Sequence, residues 1–265
     1  MENLLDRIEK IPKDKKLIVF DLDGTLVETK SSLDSKMADL LGRLLAQKQV
    51  AVIGGASFER FKRDLTDRIV LELFSNLFIF PTTASSFYRY NNGWIEVYSE
   101  KFTDEQKKQI MEAFEKAFKE ISYIKPEKTY GEIIEDRGSQ ITFSALGQDV
   151  VVQLGDEGVK LKKKWRDENQ EWKLKLSQTL QKYLPDFEVR AAGYTSIDIT
   201  RKGIDKEYGI KQIQKHLGVS IEDMLFVGDA LFEGGNDNAA LKTGVLCFEV
   251  KGVEGTKELI RYLLN

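Results

Sequence analysis

Short apolar runs alternate with longer segments of helical spacing along much of the chain. The run at 16–20 (KLIVF) is rich in β-branched and aromatic residues, as is typical of a strand buried on both faces of a parallel sheet. Comparable runs lie at 50–53, 77–80, 224–227 and 245–250. Segments such as 32–47 and 206–217 repeat apolar residues every three or four positions, which predicts amphipathic helices. This alternation predicts an α/β core built on a parallel sheet.

The middle of the chain has a different pattern. Polar and apolar residues alternate at 87–90 and 94–98, on either side of Asn91-Asn92-Gly93, which predicts an antiparallel hairpin. Hairpins and helices set between parallel-type strands indicate an inserted α+β domain. The predicted core comprises residues 1–81 and 196–265, and the predicted insert comprises residues 82–195.

Composition and charge exclude several classes of protein. The 265 residues include 40 basic and 43 acidic ones, a net charge of −3, and this balance predicts no nucleic-acid partner. The single cysteine, Cys247, excludes an internal disulfide framework and argues against a cysteine metal site. The first residues lack a basic and then apolar leader, and no apolar run approaches membrane-spanning length. We therefore expect a cytoplasmic protein with no membrane partner.

The first candidate for chemistry is the motif Asp21-Leu22-Asp23-Gly24 at the end of the first predicted core strand. Ligands of open α/β sheets bind at this carboxyl edge of the strands. An ionised carboxylate can attack phosphorus, and a second carboxyl nearby can protonate a departing alkoxide. Two carboxylates this close also predict a shared divalent cation. Taken alone, the same residues fit an ordinary turn.

A glycine-rich motif, Gly54-Gly55-Ala56-Ser57, follows the second predicted strand, and a helical pattern follows the motif. Backbone N–H groups and the helix dipole converge at such a junction, so it can bind phosphate, although a βα turn without a ligand fits it as well. Lys206 opens another predicted helix, where a cation is unfavourable unless an anion lies nearby. We interpret that anion as a phosphoryl group; a solvent-facing lysine is the alternative.

A later strand ends in a second group of oxygen ligands. Asp229 follows the strand directly, and Asn236 and Asp237 come within the same loop. Carboxylate and amide oxygens are typical ligands of Mg²⁺. We expect Asp21, the backbone carbonyl of Asp23 and Asp229 to hold Mg²⁺, with Asn236 and Asp237 shaping the loop around it.

These motifs resemble those of the haloacid-dehalogenase-like phosphotransferases. DLDGTL, at 21–26, is similar to their first signature, in which the first aspartate is the nucleophile and the second a general acid/base. GDALFEGGND, at 228–237, and GGASFE, at 54–59, resemble the motifs of eukaryotic-type phosphomannomutases within that superfamily. The resemblance implies a Rossmann-like core, with Asp21 as nucleophile and Asp23 as acid/base.

The predicted insert resembles the type IIB cap of the same family. DRGSQITFSALGQ, at 136–148, and YTSIDITRKGIDK, at 194–206, are similar to its cap motifs. By this match Arg137, Ser196 and Asp198 would contact a small phosphorylated substrate. Lys30 stands where the family keeps a basic residue after its first signature. A homodimer through the cap is one assembly compatible with the resemblance.

Two departures from the mutase pattern bear on the reaction. Gln148 and Gly155 stand where the cap keeps arginines for the non-reacting phosphate, and neither replaces a guanidinium. The basic segment 161–166 is interpreted as a solvated turn and helix start. Alternatively, the basic cluster at 160–164 could supply substitute cations from a shifted position. We therefore expect a magnesium-dependent phosphohydrolase that acts on a small sugar phosphate through an aspartyl-phosphate. A phosphomutase that interconverts hexose 1- and 6-phosphates is the alternative, and a non-catalytic phosphate-binding relative is the third hypothesis.

Overall fold

The chain forms two compact units in the computed structural model, which describes residues 4–28 and 31–265. The core unit joins Met1–Tyr98 to Asp205–Asn265, and the cap unit comprises Ser99–Ile204. The structure thus differs from the predicted boundaries by assigning 82–98 to the core unit and 196–204 to the cap unit. Within the described ranges, no helix is long and apolar enough to cross a membrane.

Both units contain strands and helices. The strands are β1 (Leu17–Asp21), β2 (Gln49–Ile53), β3 (Leu77–Phe80), β4 (Ser86–Tyr90), β5 (Trp94–Ser99), β6 (Ile134–Asp136), β7 (Gln140–Ser144), β8 (Phe187–Ala192), β9 (Ser196–Arg201), β10 (Met224–Gly228) and β11 (Leu246–Glu249). The helices are α1 (Leu4–Ile8), α2 (Ser35–Leu45), α3 (Phe58–Asp64), α4 (Pro81–Ala84), α5 (Asp104–Glu120), α6 (Val150–Leu154), α7 (Asp156–Tyr183), α8 (Lys206–Leu217) and α9 (Val253–Leu264).

The core unit is built on a seven-stranded sheet in the order β11-β10-β1-β2-β3-β4-β5. The strands from β11 to β3 pair in parallel. All five residues of β1 are buried, which explains why its sequence is apolar on both faces. Leu41 of α2 and Leu263 of α9 belong to the apolar cluster on one face, and Ile210 of α8 belongs to the cluster on the other. This arrangement confirms the predicted α/β core.

The hairpin of β4 and β5 extends the core sheet. β4 pairs antiparallel with β3, and Ile79 lies opposite Tyr88. The Tyr88 ring stacks on Phe58 with centroids 3.8 Å apart, and Trp94 packs against Phe74. The alternating pattern predicts a hairpin correctly but places it in the insert. The structure corrects this placement, because the aromatic face of the hairpin packs on the core helices.

The cap unit contains a four-stranded antiparallel sheet in the order β6-β7-β9-β8. Phe143 and Ile197 on one face pack with Phe114 of α5 and Leu176 of α7. Ser144 is the last residue of β7 and lies on the opposite face of the sheet. It is buried although it is polar. Because strand residues alternate between faces, the sheet presents one apolar and one polar surface.

Candidate active site

Asp21 ends β1 at the carboxyl edge of the parallel strands and is 3% exposed. The Lys206 ammonium donates to Asp21 Oδ1 at 2.5 Å and to the Ile53 carbonyl at 3.0 Å. It also lies 3.1 Å from Asp237 Oδ1. Lys206 and Asp237 are themselves buried, so one buried cation links two buried carboxylates.

The local sequence explains how the start of α8 reaches this edge. The Asp205 carboxylate accepts from the Tyr208 N–H at 2.9 Å and so caps the helix. Gly209 lies so close to Ile53 that a Cβ would overlap the isoleucine side chain. The absence of a side chain therefore lets α8 approach β2 and bring Lys206, its first residue, to the carboxylates. Their negative charge offsets the unfavourable interaction of an N-terminal cation with the helix dipole.

Burial dominates the electrostatics of the acidic cluster. Ligand oxygens of Asp21, Asp229 and Asp237 lie within 4.8 Å of one another. Burial raises the pKa of Asp21 well above its usual range; Lys206 opposes this and Asp237 adds to it. Burial and Asp237 also raise the pKa of Asp229 to about 6. Three carboxylates facing one ammonium would be stabilised by a further cation, and their hard oxygen atoms fit Mg²⁺.

The loop after β10 holds the second and third carboxylates in place. Asp237 Oδ2 accepts from the Ala230 N–H at 3.2 Å, and the Asp237 N–H donates to the Ala230 carbonyl at 3.1 Å. Gly24, at φ +85°, lies so close to Asp229 that a Cβ would overlap its carboxylate. Asn236, which the sequence also predicts at the metal, is exposed in this loop, whereas Asp237 is wholly buried.

Asp23 is bound by an arginine that sequence reasoning missed. Arg60 on α3 donates from Nη1 and Nη2 to the two oxygens of Asp23, at 2.9 and 2.6 Å. Its Nε donates to Asp64 Oδ2 at 2.9 Å. Burial alone would lower the pKa of Arg60, but the carboxylates of Asp23 and Asp64 raise it above its ordinary value. Arg60 and Asp64 are four residues apart, a spacing that in sequence indicates only a surface ion pair on a helix.

The glycine-rich motif lies between β2 and α3, where the sequence predicts it. The Gly54 N–H donates to the Phe80 carbonyl at 3.2 Å, so this predicted phosphate ligand already has a backbone partner. Ser57 is the N-cap residue of α3. Gly55 and Ala56 lie between these two positions, and the Ala56 carbonyl accepts a backbone hydrogen bond from the first turn of α4. Backbone hydrogen bonds from neighbouring segments thus hold the motif in place. Gly55 lies in the middle of the motif, and Ser57 lies where α3 begins.

Arg137, a predicted substrate contact, lies in the cap unit. Its Nε and Nη2 donate to Glu135 Oε2 at 2.8 and 2.6 Å, and Nη2 donates to Gln148 Oε1 at 3.3 Å. Gln148 therefore contacts Arg137, the arginine that remains in the cap motif. It does not replace the arginine that related caps keep at position 148. Glu135 was not predicted, although its position two residues before Arg137 on an alternating strand was a signal for a shared face. Gly155 ends α6 at φ +55°.

Ser196 and Asp198 lie on the polar face of the same cap sheet. Asp198 Oδ1 accepts from the Thr142 hydroxyl at 2.8 Å across the β7–β9 pair. Ser196 is two residues earlier on β9 and therefore faces the same side. The structure thus brings these two predicted substrate contacts together within the cap unit. Lys30, the remaining predicted contact, lies outside the described residues.

Comparisons with known proteins agree with this architecture. Residues 18–246 match the model of a family described as haloacid dehalogenase-like hydrolase. A phosphomannomutase of Encephalitozoon cuniculi is 30% identical over 227 residues, which cover 84% of this chain and 83% of the relative. Phosphomannomutase 1 of Homo sapiens is 24% identical over 228 residues, covering 85% of this chain and 82% of the relative.

Solved structures show the same fold. An IMP-nucleotidase of Plasmodium falciparum superposes with a TM-score of 0.67 at 16% identity, covering 98% of this chain and 70% of that one. A haloacid dehalogenase-like hydrolase of Bacteroides thetaiotaomicron gives a TM-score of 0.61 at 14% identity, covering 93% of this chain and 98% of that one. With a family match over most of its length, the chain belongs to the haloacid dehalogenase-like hydrolases and is an enzyme of phosphatase or phosphomutase type.

Proposed function

We propose that this chain is a hexose phosphomutase that works through an aspartyl-phosphate on Asp21. The buried contact of 2.5 Å between Asp21 and Lys206 carries the proposal, because it sets a nucleophilic carboxylate beside a cation that can stabilise phosphoryl oxygens. The names of the curated relatives support the mutase alternative over the hydrolase expected from the sequence.

Each transfer has two parts. A carboxylate oxygen of Asp21 attacks phosphorus, an O–P bond to Asp21 forms, and the bond from phosphorus to the sugar oxygen breaks. Asp23 gives a proton to that departing oxygen and takes one from the hydroxyl that later accepts the phosphoryl group. Lys206 stabilises the charge on the phosphoryl oxygens in both directions. A sugar bisphosphate first phosphorylates Asp21 in this way. Phosphorylated Asp21 then gives its phosphoryl group to the free hydroxyl of a hexose monophosphate, so that the bond from Asp21 to phosphorus breaks as the new bond forms and a sugar bisphosphate results. The bisphosphate turns, and its other phosphoryl group passes back to Asp21.

The acidic cluster would hold the metal. Asp21, the backbone carbonyl of Asp23 and Asp229 are the proposed Mg²⁺ ligands, with Asp237 and Asn236 in the surrounding loop. The raised pKa values of Asp21 and Asp229 support this assignment, because they reflect buried negative charge that a cation would compensate. When bound, Mg²⁺ supplies positive charge that keeps the carboxylates ionised beside an anionic substrate.

Phosphate hydrolysis is the second candidate, and one observation in the cap unit favours it. Arg137 already has a carboxylate partner in Glu135, at 2.6 Å, and an amide partner in Gln148. A guanidinium so occupied offers less charge to a distal phosphate, which a mutase must hold while the sugar turns. Hydrolysis needs only one phosphate bound and a water admitted to the aspartyl-phosphate.

The product distinguishes the two candidates. Mannose 1-phosphate and glucose 1-phosphate are incubated with the protein, Mg²⁺ and a trace of glucose 1,6-bisphosphate, while 6-phosphate and inorganic phosphate are both followed. We expect 6-phosphate to form faster than inorganic phosphate. Inorganic phosphate as the main product would overturn the mutase assignment and support the hydrolase.

Asp21→Asn is the control for either activity. It preserves the shape of the side chain but removes the attacking charge, so turnover should fall by about three orders of magnitude or more with the fold intact. A wild-type chain that is inactive on every sugar phosphate, and indistinguishable from Asp21→Asn, would support the non-catalytic relative instead.

A further inference from the structure

The core unit contains a cavity of about 290 Å³ between the end of α8 and the strands from β3 to β5. The apolar and aromatic side chains that line it are Phe78, Phe87, Val97, His216 and Leu217. His216 is ten residues after Lys206 on α8, which is about 15 Å along the helix axis. The cavity is therefore separate from the acidic cluster around Asp21.

The end of α8 explains why this part of the sheet is not covered. The helix ends at Leu217, and Gly218 follows with φ +67°, which turns the chain away from the helix axis. The β4–β5 hairpin continues the sheet beyond β3. As a result Phe78 is only half-buried, and Val97 is 37% exposed.

The imidazole that lines the cavity is held by its neighbours. The His216 ring stacks on Tyr98 with centroids 4.8 Å apart and lies 5.7 Å from the Phe87 ring. The Tyr98 hydroxyl donates to the Ala84 carbonyl at 2.8 Å, which fixes the stack to the core. Because this wall is already ordered, a ligand that packs on it loses little free energy to ordering the protein. Burial and the charge of Lys215 lower the pKa of His216, so the ring is neutral at pH 7 and keeps one N–H donor.

Two polar side chains also line the cavity, Arg89 of β4 and Gln49 of β2. Alternation along β4 puts Arg89 on the same face of the sheet as Phe87. Among residues 4–28 and 31–265, the exposed Arg89 guanidinium has no ion pair and no hydrogen bond. A guanidinium presents two parallel N–H donors that match the two oxygens of a carboxylate. The cavity thus combines an aromatic wall with an unpaired cation.

The size and charge of the cavity indicate the class of ligand. A cavity of roughly 150 Å³ holds a benzene ring, so about 290 Å³ leaves room for two fused rings. Aromatic side chains favour a flat ring, which can stack on them or meet them edge to face. One guanidinium beside a neutral amide and a neutral imidazole balances a single negative charge, which fits a carboxylate better than a doubly charged phosphate.

We propose that this cavity, here called the helix-end site, binds a small aromatic carboxylate of one or two rings. The ring packs on Phe78, Phe87 and His216, and the carboxylate pairs with Arg89. Gln49 adds an amide N–H to the carboxylate. Binding at the helix-end site involves no phosphoryl transfer, so it is independent of the proposed function.

The test measures binding of 2-naphthoate to the full-length chain by calorimetry, with 2-naphthamide as the uncharged probe of similar shape. Arg89→Met removes the guanidinium, and Arg43→Met, at an exposed position of α2, is the matched control. We expect saturable binding of 2-naphthoate that Arg89→Met weakens by about tenfold or more, with little effect on 2-naphthamide. Equal affinities for 2-naphthoate in the two variants would overturn the helix-end site.

Filling the cavity tests its position independently of charge. Val97→Phe adds a ring at the cavity, whereas Ile95→Phe adds the same ring at an exposed position of β5 that does not line it. Both positions are exposed, so both variants should fold. We expect Val97→Phe to abolish binding of both probes and Ile95→Phe to preserve it. Binding that survives Val97→Phe unchanged would contradict the proposal.

Binding of the probe at the acidic cluster predicts a different pattern. There, excess inorganic phosphate with Mg²⁺ would displace 2-naphthoate, a result that would count against the helix-end site. We expect phosphate to leave the affinity unchanged. A chain without turnover that still binds 2-naphthoate through Arg89 would retain the site without the proposed function. An active mutase that does not bind 2-naphthoate would retain the function without the site.

Discussion

The Arg60 guanidinium holds both oxygens of Asp23, the residue proposed to move protons. Arg60 is largely buried, at 12% side-chain exposure, and Asp64 fixes its other edge. A two-point contact restricts the carboxylate to one orientation more strongly than a single hydrogen bond would. Arg60 is therefore a positioning residue that determines where the Asp23 carboxylate lies when a substrate arrives.

We predict that Arg60→Met slows phosphoryl transfer mainly from substrates whose leaving group must be protonated. Turnover of a sugar phosphate should fall by about tenfold to a hundredfold, because the acid/base is no longer oriented. Turnover of p-nitrophenyl phosphate should change little, because nitrophenolate departs unprotonated. Steady-state rates on both substrates check this. Arg63→Met is the control, because Arg63 lies on the same helix and also donates to Asp64, from Nε at 2.8 Å and from Nη2 at 3.1 Å. An equal loss on both substrates would mean a structural role for Arg60.

The positions of Asp21, Asp229 and Lys206 were open to prediction, whereas that of Arg60 was not. Asp21 and Asp229 follow parallel strands, and the carboxyl ends of such strands meet at one edge. Lys206 is anomalous at a helix start unless anions lie nearby, which is what the structure contains. The place of Arg60 in its helix is not unusual in this way. An ion pair with Asp64, one turn later, is enough to explain an arginine there. Only the folded α3 shows that its other edge reaches Asp23.

At the scale of elements, α4 is a turn of unusual handedness that supports the glycine-rich motif. Thr82, Thr83 and Ala84 have φ values of +51°, +59° and +62°. L-residues resist this conformation, and β-branched threonine resists it most. The turn persists because the Thr82 and Thr83 N–H groups donate to the Ala56 and Gly54 carbonyls, at 2.9 and 2.8 Å. The strained turn thus orients the segment between β2 and α3.

We predict that Thr83→Gly is more stable than Thr83→Ala. Both changes remove the hydroxyl and methyl of a half-buried side chain, but only glycine removes the Cβ that opposes a positive φ. The difference in the free energy of unfolding should be about 1 kcal/mol in favour of glycine. Urea unfolding measures this difference. The midpoints of the two variants are compared with one shared value for the slope of the unfolding free energy against urea concentration. Equal stabilities would show that the turn carries no strain at this position.

The placement of the β4–β5 hairpin shows what an element-level pattern leaves open. Alternating residues indicate a half-buried strand, and both a cap sheet and the edge of a core sheet satisfy that description. The choice depends on contacts distant in sequence, such as Tyr88 on Phe58. By contrast, β1 up to Phe20 and β10 up to Val227 are apolar throughout, which favours a buried parallel position, so the centre of the fold was predictable.

At the scale of the whole molecule, the acidic cluster links stability to pH and to metal. The folded pKa of Asp229 is raised to about 6, above its ordinary value, so the folded chain holds that proton more tightly than the unfolded chain. The contribution of Asp229 is therefore fully present at acidic pH and is lost as the pH rises through about 6. Asp21, whose pKa is also raised, acts in the same direction. A bound cation should reverse this loss.

We predict that Mg²⁺ raises the melting temperature more at about pH 7.5 than at about pH 5, because ionised carboxylates bind it and protonated ones do not. The measurement compares thermal unfolding in millimolar Mg²⁺ with unfolding in chelator at both pH values. Asp229→Asn should reduce both the metal effect and its pH dependence. A melting temperature that Mg²⁺ leaves unchanged at the higher pH would contradict the metal site.

The pairing of β1 with β10 also imposes an order on biosynthesis. One edge of β1 can pair with β2 early in translation, but its other edge has no partner until residues 224–228 leave the ribosome. The cap unit is one continuous segment, Ser99–Ile204, and emerges complete before then. A nascent chain thus carries a finished cap on a core sheet with an open edge, the kind of surface that chaperones shield. The sheet around Asp21 closes only when β10, which begins the last sixth of the chain, has emerged.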